Sequence, residues 1–585
     1  MMKRLRIKVP QGAALRAVAG AAMLAAAGSA TAFQLELANP DLKVRWDNTV
    51  RYNLGVRMEK QDQRILDATS YDESDAKFHK GQVVTNRFDL LSEMDVNYAG
   101  RLGARVSAAA WYDMAYDDHS VKSPGIFGRP GTPTSYISDT YNNKVTRYVN
   151  GPSAEFLDAF VWGNVNLGSV PVNVKLGRHT NIWGEGLLIG GHAISYGQGP
   201  IDGVKAVTSP GIETKEVFLP LNQLSFKAQL TDKVSVAGQY FLEWKPTRVP
   251  NGGTYLMGAD TSPNVDLLGV TTGVAAKQGD ALKPGNTGNW GLGLKWDVDA
   301  IESTLGFFYR RFNDYNPETG IQFTGFRQLV PGVPASTVPT DFRFVYAQDV
   351  KVIGASLARS IGPVSFGAEV SLRKNGHLNS KTTYSPTDFT AVTNLHPMLN
   401  TGARGDTLHA VANGVYLLPK TPVWDSGSVI VELAYSRLQK ITANETMYRG
   451  EGYAGCVKPT GAAATDVADR SYTCSSKQFA QMAVSFTPQY IQLLPSLDVT
   501  LPMAINYGLK GTAPSGGGGF EKLLTWSVGI GAIYATTHEF QLRYSDISVP
   551  GKYSASNALI GGNSLGSSLG ATDRGWLVFT HKTSF

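Results

Sequence analysis

Charge is scarce in this chain. Asp, Glu, Lys and Arg together make up 17% of its 585 residues, against about 25% in an ordinary soluble domain. Cysteine is scarcer still, with only Cys456 and Cys474. That excludes a disulfide-built scaffold and a cysteine-rich zinc site. No HExxH is present, and the run SGGGGF (Ser515 to Phe520) lacks the Lys-Ser/Thr ending of a phosphate-cradling loop. Beyond residue 32 there is no continuous apolar run of about 18 residues, so no segment reads as a transmembrane helix. A basic surplus is missing too. The formal charge of +6 less the five basic residues Lys3, Arg4, Arg6, Lys8 and Arg16 leaves +1 for the rest, which gives no electrostatic footprint for nucleic acid.

What the chain does have is glycine (63 residues) and aromatics (10%). Its start combines a basic head with the small apolar stretch AVAGAAMLAAAGSATA, ending Ala30-Thr31-Ala32. This is the pattern of a cleaved secretory signal peptide over residues 1–32, leaving Phe33 as the new N-terminus. In that exported setting Cys456 and Cys474, in one long loop, are expected to form a disulfide.

The body alternates with period two. From Val44 to Met58, Val44, Trp46, Val50, Tyr52, Leu54 and Val56 share one parity, while Arg45, Asp47, Arg51, Asn53 and Arg57 share the other. Side chains of a strand alternate between faces, so this strand is apolar on one side and charged on the other. The same pattern recurs at 88–98, 102–113, 155–167, 170–178, 221–230, 234–244, 289–297, 302–312, 347–359 and 363–374. It continues at 407–418, 428–439, 479–490, 496–507, 523–535, 538–546 and 575–585. Tight turns such as Ala99-Gly100 and Leu167-Gly168-Ser169 alternate with long connections such as 115–154 and 246–288. Short turns on one rim and long loops on the other define an all-β fold: a single transmembrane antiparallel β-barrel over 33–585, with about 18 strands (range 14–18). A bilayer core offers no water to stray backbone groups, and closure satisfies them all. A β-sandwich has no need of such regular loop asymmetry.

The last strand, GWLVFTHKTSF, ends on Phe585 and resembles the signal read by the outer-membrane assembly machinery. The polar parity places Arg51, Arg57, Glu93, Asp95 and Arg105 in the lumen, where facing rows of opposite charge would set a transverse field. The same charges could instead pair off and fill a plugged lumen. Trp111 and Phe308 also fall on the inward parity, while Tyr112, Tyr116, Tyr240, Phe241, Trp244, Phe307 and Tyr309 are expected in an interfacial girdle.

One stretch looks like a site. GRHTNIWGEGLLIGGHAISYG, from Gly177 to Gly197, gathers Arg178, His179, Trp183, Glu185 and His192 among glycines. The intervals His179–Glu185–His192, six and seven residues, fit no helical metal pair, and no oriented nucleophile–base pair is legible. No metal, cofactor or enzymatic activity is therefore expected. The stretch reads as a constriction or plug loop, with Arg178 and Glu185 pairing to hold it and Trp183 wedged against the wall.

The segments LGRHTNIWGEG, PGIETKEVFLPLNQLS and GQYFLEWKPTRVP, with FGAEVSLRKN and ARGDTLHAVANGVY later, resemble the proteobacterial outer-membrane family numbered thirteen-oh-two among domains of unknown function. Members are regarded as outer-membrane proteins, often encoded near transporters of hydrophobic compounds. The resemblance implies location and class and names no substrate. The expected function is an outer-membrane channel, in contact with outer-membrane lipid, that passes small amphipathic or hydrophobic solutes. The alternatives are a polar-solute porin, a barrel enzyme of lipase or protease type, and a non-transporting structural barrel.

The mature protein is expected to begin at Phe33 and to fractionate with outer membranes as a heat-modifiable, β-rich species. N-terminal sequencing that finds Met1, or recovery in the soluble periplasm, contradicts this.

Overall fold

The structure is a computed structural model. It describes residues 33–585 except 36–37, 69–70, 123–133, 261–263, 272–273, 334–335, 382, 385–401, 451–473, 554–558 and 562–568. The expected signal peptide, residues 1–32, and Cys456 lie outside the described residues.

Eighteen strands form the wall. The first six are β1 (Leu42–Arg57), β2 (Val83–Tyr98), β3 (Leu102–Asp113), β4 (Ser153–Leu167), β5 (Val170–His179) and β6 (Leu221–Gln229). Next come β7 (Val234–Phe241), β8 (Trp290–Val298), β9 (Ser303–Phe312), β10 (Val350–Ile361), β11 (Val364–His377) and β12 (Arg404–Leu417). The last six are β13 (Ser426–Ala443), β14 (Gln478–Leu494), β15 (Leu497–Thr500 and Met503–Lys510), β16 (Leu524–Tyr534), β17 (His538–Ser548) and β18 (Trp576–Ser584). The break in β15 falls at Pro502, which has no N–H to give a ladder.

Each strand pairs antiparallel with the next, and β18 returns to β1, from Thr49 opposite Ser584 to Arg57 opposite Trp576. The Phe585 amide and carbonyl extend that seam to Asn48. The sheet has no free edge, so the barrel is closed.

The expected alternation is present, inside out relative to a soluble protein. Leu90, Met94, Phe156, Leu176, Val528 and Ile530 are exposed on the outer face. Arg51, Asn53, Arg57 and Arg87, on the inner parity, are buried. An apolar band facing lipid and a polar interior are what a spanning barrel requires. No helix among the described residues is long and apolar enough to cross a membrane.

The start of β1, the end of β18 and the eight short turns share one rim, and the long connections share the other. Several of these connections fold over the mouth as a cap. Its core includes Phe78, Tyr116, Tyr136, Tyr255, Phe342 and the inward Trp576. Arg57 reaches up into the cap and pairs with Asp75 at 2.7 Å. Beside it Asp72, Glu73 and Asp260 are buried together. Desolvation, reinforced by the neighbouring Asp260 carboxylate, pushes the Asp72 carboxyl up to about 8, and burial raises Glu73 and Asp260 as well.

The aromatic girdle needs correction. Tyr240 and Phe307 are on the lipid side, but Tyr116, Phe241 and Trp244 are buried, while Phe308 is buried inside as its parity indicated. Trp244 stacks on Tyr315 with centroids 6.1 Å apart. These rings stand at the wide rim, where the folded connections need a packing core as much as the interface needs aromatics.

Candidate functional site

The connection between β5 and β6, residues 180–220, runs inside the barrel. Its first half crosses from β5 to the wall made by β8–β13. Two wall carboxylates receive it. Glu369 of β11 accepts the amides of Glu185 (2.8 Å) and Ile194 (2.6 Å). Glu432 of β13 accepts those of Leu187 (2.6 Å), Leu188 (2.9 Å) and Ile189 (2.5 Å), and also the Asn413 side-chain amide (3.1 Å). Charged acceptors strengthen such bonds and leave none of these five amides orphaned inside the barrel. Two wall arginines take the opposite polarity. Arg310 donates to the carbonyls of Ile194 (2.8 Å) and Tyr196 (2.9 Å), and Arg373 donates to that of Gly191 (3.2 Å).

Packing completes the seat. Trp183 stacks on Phe308 at 6.0 Å and covers the glycines of β8, where a Cβ at Gly291 would meet the indole at 3.0 Å. Ile194 fills the dent at Gly354, where a Cβ would come within 2.8 Å. Ile189 packs on Val411, Ala434 and Ala483. His192 is buried. Its Nε2–H donates to the Gly518 carbonyl (2.7 Å), and its Nδ1 accepts from His409 (3.0 Å). His409 in turn accepts from the Thr407 hydroxyl (2.8 Å).

The second half of the segment lies on β1–β4. Asp202 caps the short helix Gly203–Thr208 through the Lys205 amide and is clamped by Arg248 at 2.7 Å. Lys205 and Arg248 share Glu155 at 2.7 and 2.5 Å. The Ser209 hydroxyl donates to Asp89 (2.7 Å), Arg51 pairs with Glu216 (2.5 Å), and Lys215 pairs with Glu93 (2.6 Å). The segment is therefore a plug held on two sides.

The anticipated lumen charges are all in ion pairs. Arg51 meets Glu216, Arg57 meets Asp75 and Asp573, and Arg105 meets Glu93, Asp95 and Asp158. Of the two arrangements the sequence allowed, opposed free rows or pairs filling the lumen, the structure has the second.

Arg178 and Glu185 do not pair. Arg178 shares its parity with the lipid-facing Leu176, donates to the Phe156 carbonyl (3.1 Å) and approaches Glu243 (4.0 Å). Glu185 lies inside, near Ser356 Oγ (3.4 Å) and Lys295 (3.6 Å). Period two, carried through β5 to its end, sends Arg178 outward. Trp183 is against the wall, as the sequence suggested.

Sequence reasoning missed Glu369, Glu432, Arg310 and Arg373. Their signal was a lone charge on the inward parity of an otherwise small or apolar strand, as in VIVELAY around Glu432. It also missed the contact of His179 with Ser225, whose hydroxyl lies 2.7 Å from Nε2 while Nδ1–H donates to the Gly177 carbonyl at 3.0 Å. No group of three or more His, Cys, Asp or Glu among the described residues can hold a metal ion.

Along β14–β17 the plug touches the wall at Ala483 and Phe479 of β14, makes no charged anchor among the described residues, and leaves a space of about 600 Å³. Wall side chains Ser485, Asn506, Thr525 and Ser527 line one side, and Leu188, Val207 and Pro210 of the plug line the other. Tyr255, Leu256 and Trp576 border it from the cap.

The chain belongs to the family described as "Protein of unknown function (DUF1302)", which matches residues 13–585. The motifs that carried the resemblance in sequence meet in the plug. LGRHTNIWGEG begins it, FGAEVSLRKN brings Glu369 and Arg373, ARGDTLHAVANGVY brings His409 and Asn413, and EWKPTRVP brings Arg248. Among solved structures, the chain is similar to OccAB4 of Acinetobacter baumannii, with 8% identity and TM-score 0.39, covering 93% of this chain and 98% of that one. It is similar to OccK9 (OpdG) of Pseudomonas aeruginosa, with 11% identity, TM-score 0.38 and coverage of 93% and 98%. It is also similar to the outer membrane channel DcaP of A. baumannii, with 9% identity, TM-score 0.32 and coverage of 95% and 100%. No curated protein matches the chain.

Replacing Glu432 by Ala orphans the buried Ile189 amide, at roughly 1–3 kcal/mol, and frees the part-buried amides of Leu187 and Leu188 at smaller cost. Glu432→Ala is expected to expose residues 180–200 to limited proteolysis and to lower the unfolding midpoint, and Glu432→Gln to do so less. A variant as protease-resistant and as stable as the parent contradicts the anchoring role.

Proposed function

We propose that the protein is an outer-membrane channel for small solutes, and that the plug confines their path to the side of the barrel along β14–β17. The observation that carries this reading is the space of about 600 Å³ between the plug and β14–β17. Its volume is that of a small-molecule site. The closed barrel, apolar outside, supports placement in a membrane, and the signal peptide expected over residues 1–32 points to the outer one.

The two sides of the space differ. Hydroxyl and amide groups of the wall face Leu188, Val207 and Pro210 of the plug. A solute with one polar and one apolar side satisfies both, which favours amphipathic compounds over fully polar ones. A polar-solute porin would keep opposed charges free in the lumen, and the anticipated charges are in ion pairs with the plug, the cap or one another.

We read the protein as a non-enzyme. The one serine–histidine contact described above, Ser225 with His179, is buried in the wall (4% and 2% exposed), where substrate has no access.

The test is conductance in planar bilayers. The Trp183 amide bonds to Gln198 Oε1 at 2.7 Å, so the ends of the crossing segment are adjacent. Deleting residues 184–197 is thus expected to leave the barrel closed, raise conductance severalfold and relax size exclusion. Equal conductance from two intact barrels contradicts confinement by the plug.

A further inference from the structure

Inward-facing arginines of this barrel have partners. Arg51, Arg57, Arg87, Arg105 and Arg404 have carboxylates, and Arg310 and Arg373 have plug carbonyls. Arg543 is different. It lies on the inward parity of β17, alternating with the lipid-facing Leu542 and Tyr544, and it borders the space beside the plug. Among the described residues its guanidinium has no ion pair within 4.0 Å and no side-chain hydrogen bond, and its Nε is enclosed without a partner.

The surroundings are open toward it. Opposite Arg543, β16 supplies Gly529 and β18 supplies Val578. Neither can accept a hydrogen bond through a side chain. The other charged residues of the lining make backbone contacts. The Asp546 carboxylate accepts the Ile547 amide at 2.7 Å, and Arg574 donates to the carbonyls of Tyr255 and Met257, each at 2.8 Å.

We propose that Arg543 is the anion-binding point of the passage, and that the solute it selects is a small amphipathic carboxylate. This deepens the channel reading and rests on it. A guanidinium stays charged at any working pH and presents a planar fork that matches a carboxylate bidentately. Enclosed with no counter-charge, it pays a desolvation penalty that an incoming anion offsets. The apolar remainder of the solute then lies on Val207, Pro210 and Leu256, while the hydroxyls of Ser527 and Ser545 flank the headgroup.

The experiment uses the purified mature barrel and two probes of like shape, hexanoate and its neutral amide. Calorimetry is expected to show hexanoate binding to the parent, and Arg543→Gln is expected to weaken it roughly ten- to hundredfold, the worth of a charge-assisted pair. Arg543→Lys should fall between them, because it keeps charge and loses the fork. Hexanamide should bind weakly to all three. Should Arg543→Gln fail to fold, Ser545→Asp supplies an internal counter-ion on the same face and is expected to abolish hexanoate binding. Equal hexanoate affinity in parent and variants, or equal affinity for the amide, overturns the proposal. Bilayer current is recorded in parallel. A parent that binds hexanoate but passes no current contradicts the channel reading and leaves the Arg543 site standing. A parent that conducts but binds hexanoate no better than the Gln variant does the reverse.

Discussion

The interior is organised by two carboxylates that accept backbone amides. Glu369 and Glu432 stand on neighbouring parts of the wall and between them receive five N–H groups of the crossing segment. A glycine-rich chain inside a barrel would otherwise leave these donors unpaired in a place poor in water, at a cost that would drive it out. Because the acceptors are charged and fixed on strands, the segment has one position. The Arg310 and Arg373 bonds to its carbonyls, the Trp183 stack and the His192–His409 contact all require that position to be set. The off-centre space follows as a consequence, since a chain anchored on β8–β13 and on β1–β4 meets β14 at Ala483 and Phe479 and leaves most of β15–β17 clear of it.

The wall was legible in the sequence and the interior only partly so. All eighteen strands were visible because lipid on one face and polar groups on the other impose period two, the strongest one-dimensional signal a strand has. That signal also carried the sidedness of Arg51, Arg57, Glu93, Arg105, Trp111 and Phe308. It contained the fate of Arg178 as well, which follows the outward parity of Leu176. The plug's existence showed in Trp183 and the glycines around it. Its anchors did not, because Glu432 reaches amides some 245 residues away in the chain, and no spacing encodes which backbone a carboxylate will meet. The aromatics near the wide rim were misread for a related reason. Whether a ring faces lipid or a folded loop depends on loops whose paths have no period.

Charge accounts for the character of the passage. Most inward charges are spent on pinning the plug and cap, so the lumen is nearly neutral where a solute would move. The two surfaces it meets are small hydroxyl and amide side chains on the wall and an apolar strip on the plug. Arg543 is the exception in that setting, an enclosed guanidinium without a carboxylate partner among the described residues, and on the reading proposed above it sets the selectivity.

The central claim is that solutes pass between the plug and β14–β17 and nowhere else in the lumen. In a background with Cys456 and Cys474 replaced by serine, Ser527→Cys places a thiol on the passage wall, and Ser356→Cys places one behind the plug beside Glu185. Block of bilayer current by a small charged methanethiosulfonate separates the two positions. The account predicts strong, irreversible block of the Ser527→Cys channel and none of the Ser356→Cys channel. Equal block of both, or block at Ser356→Cys alone, would contradict it.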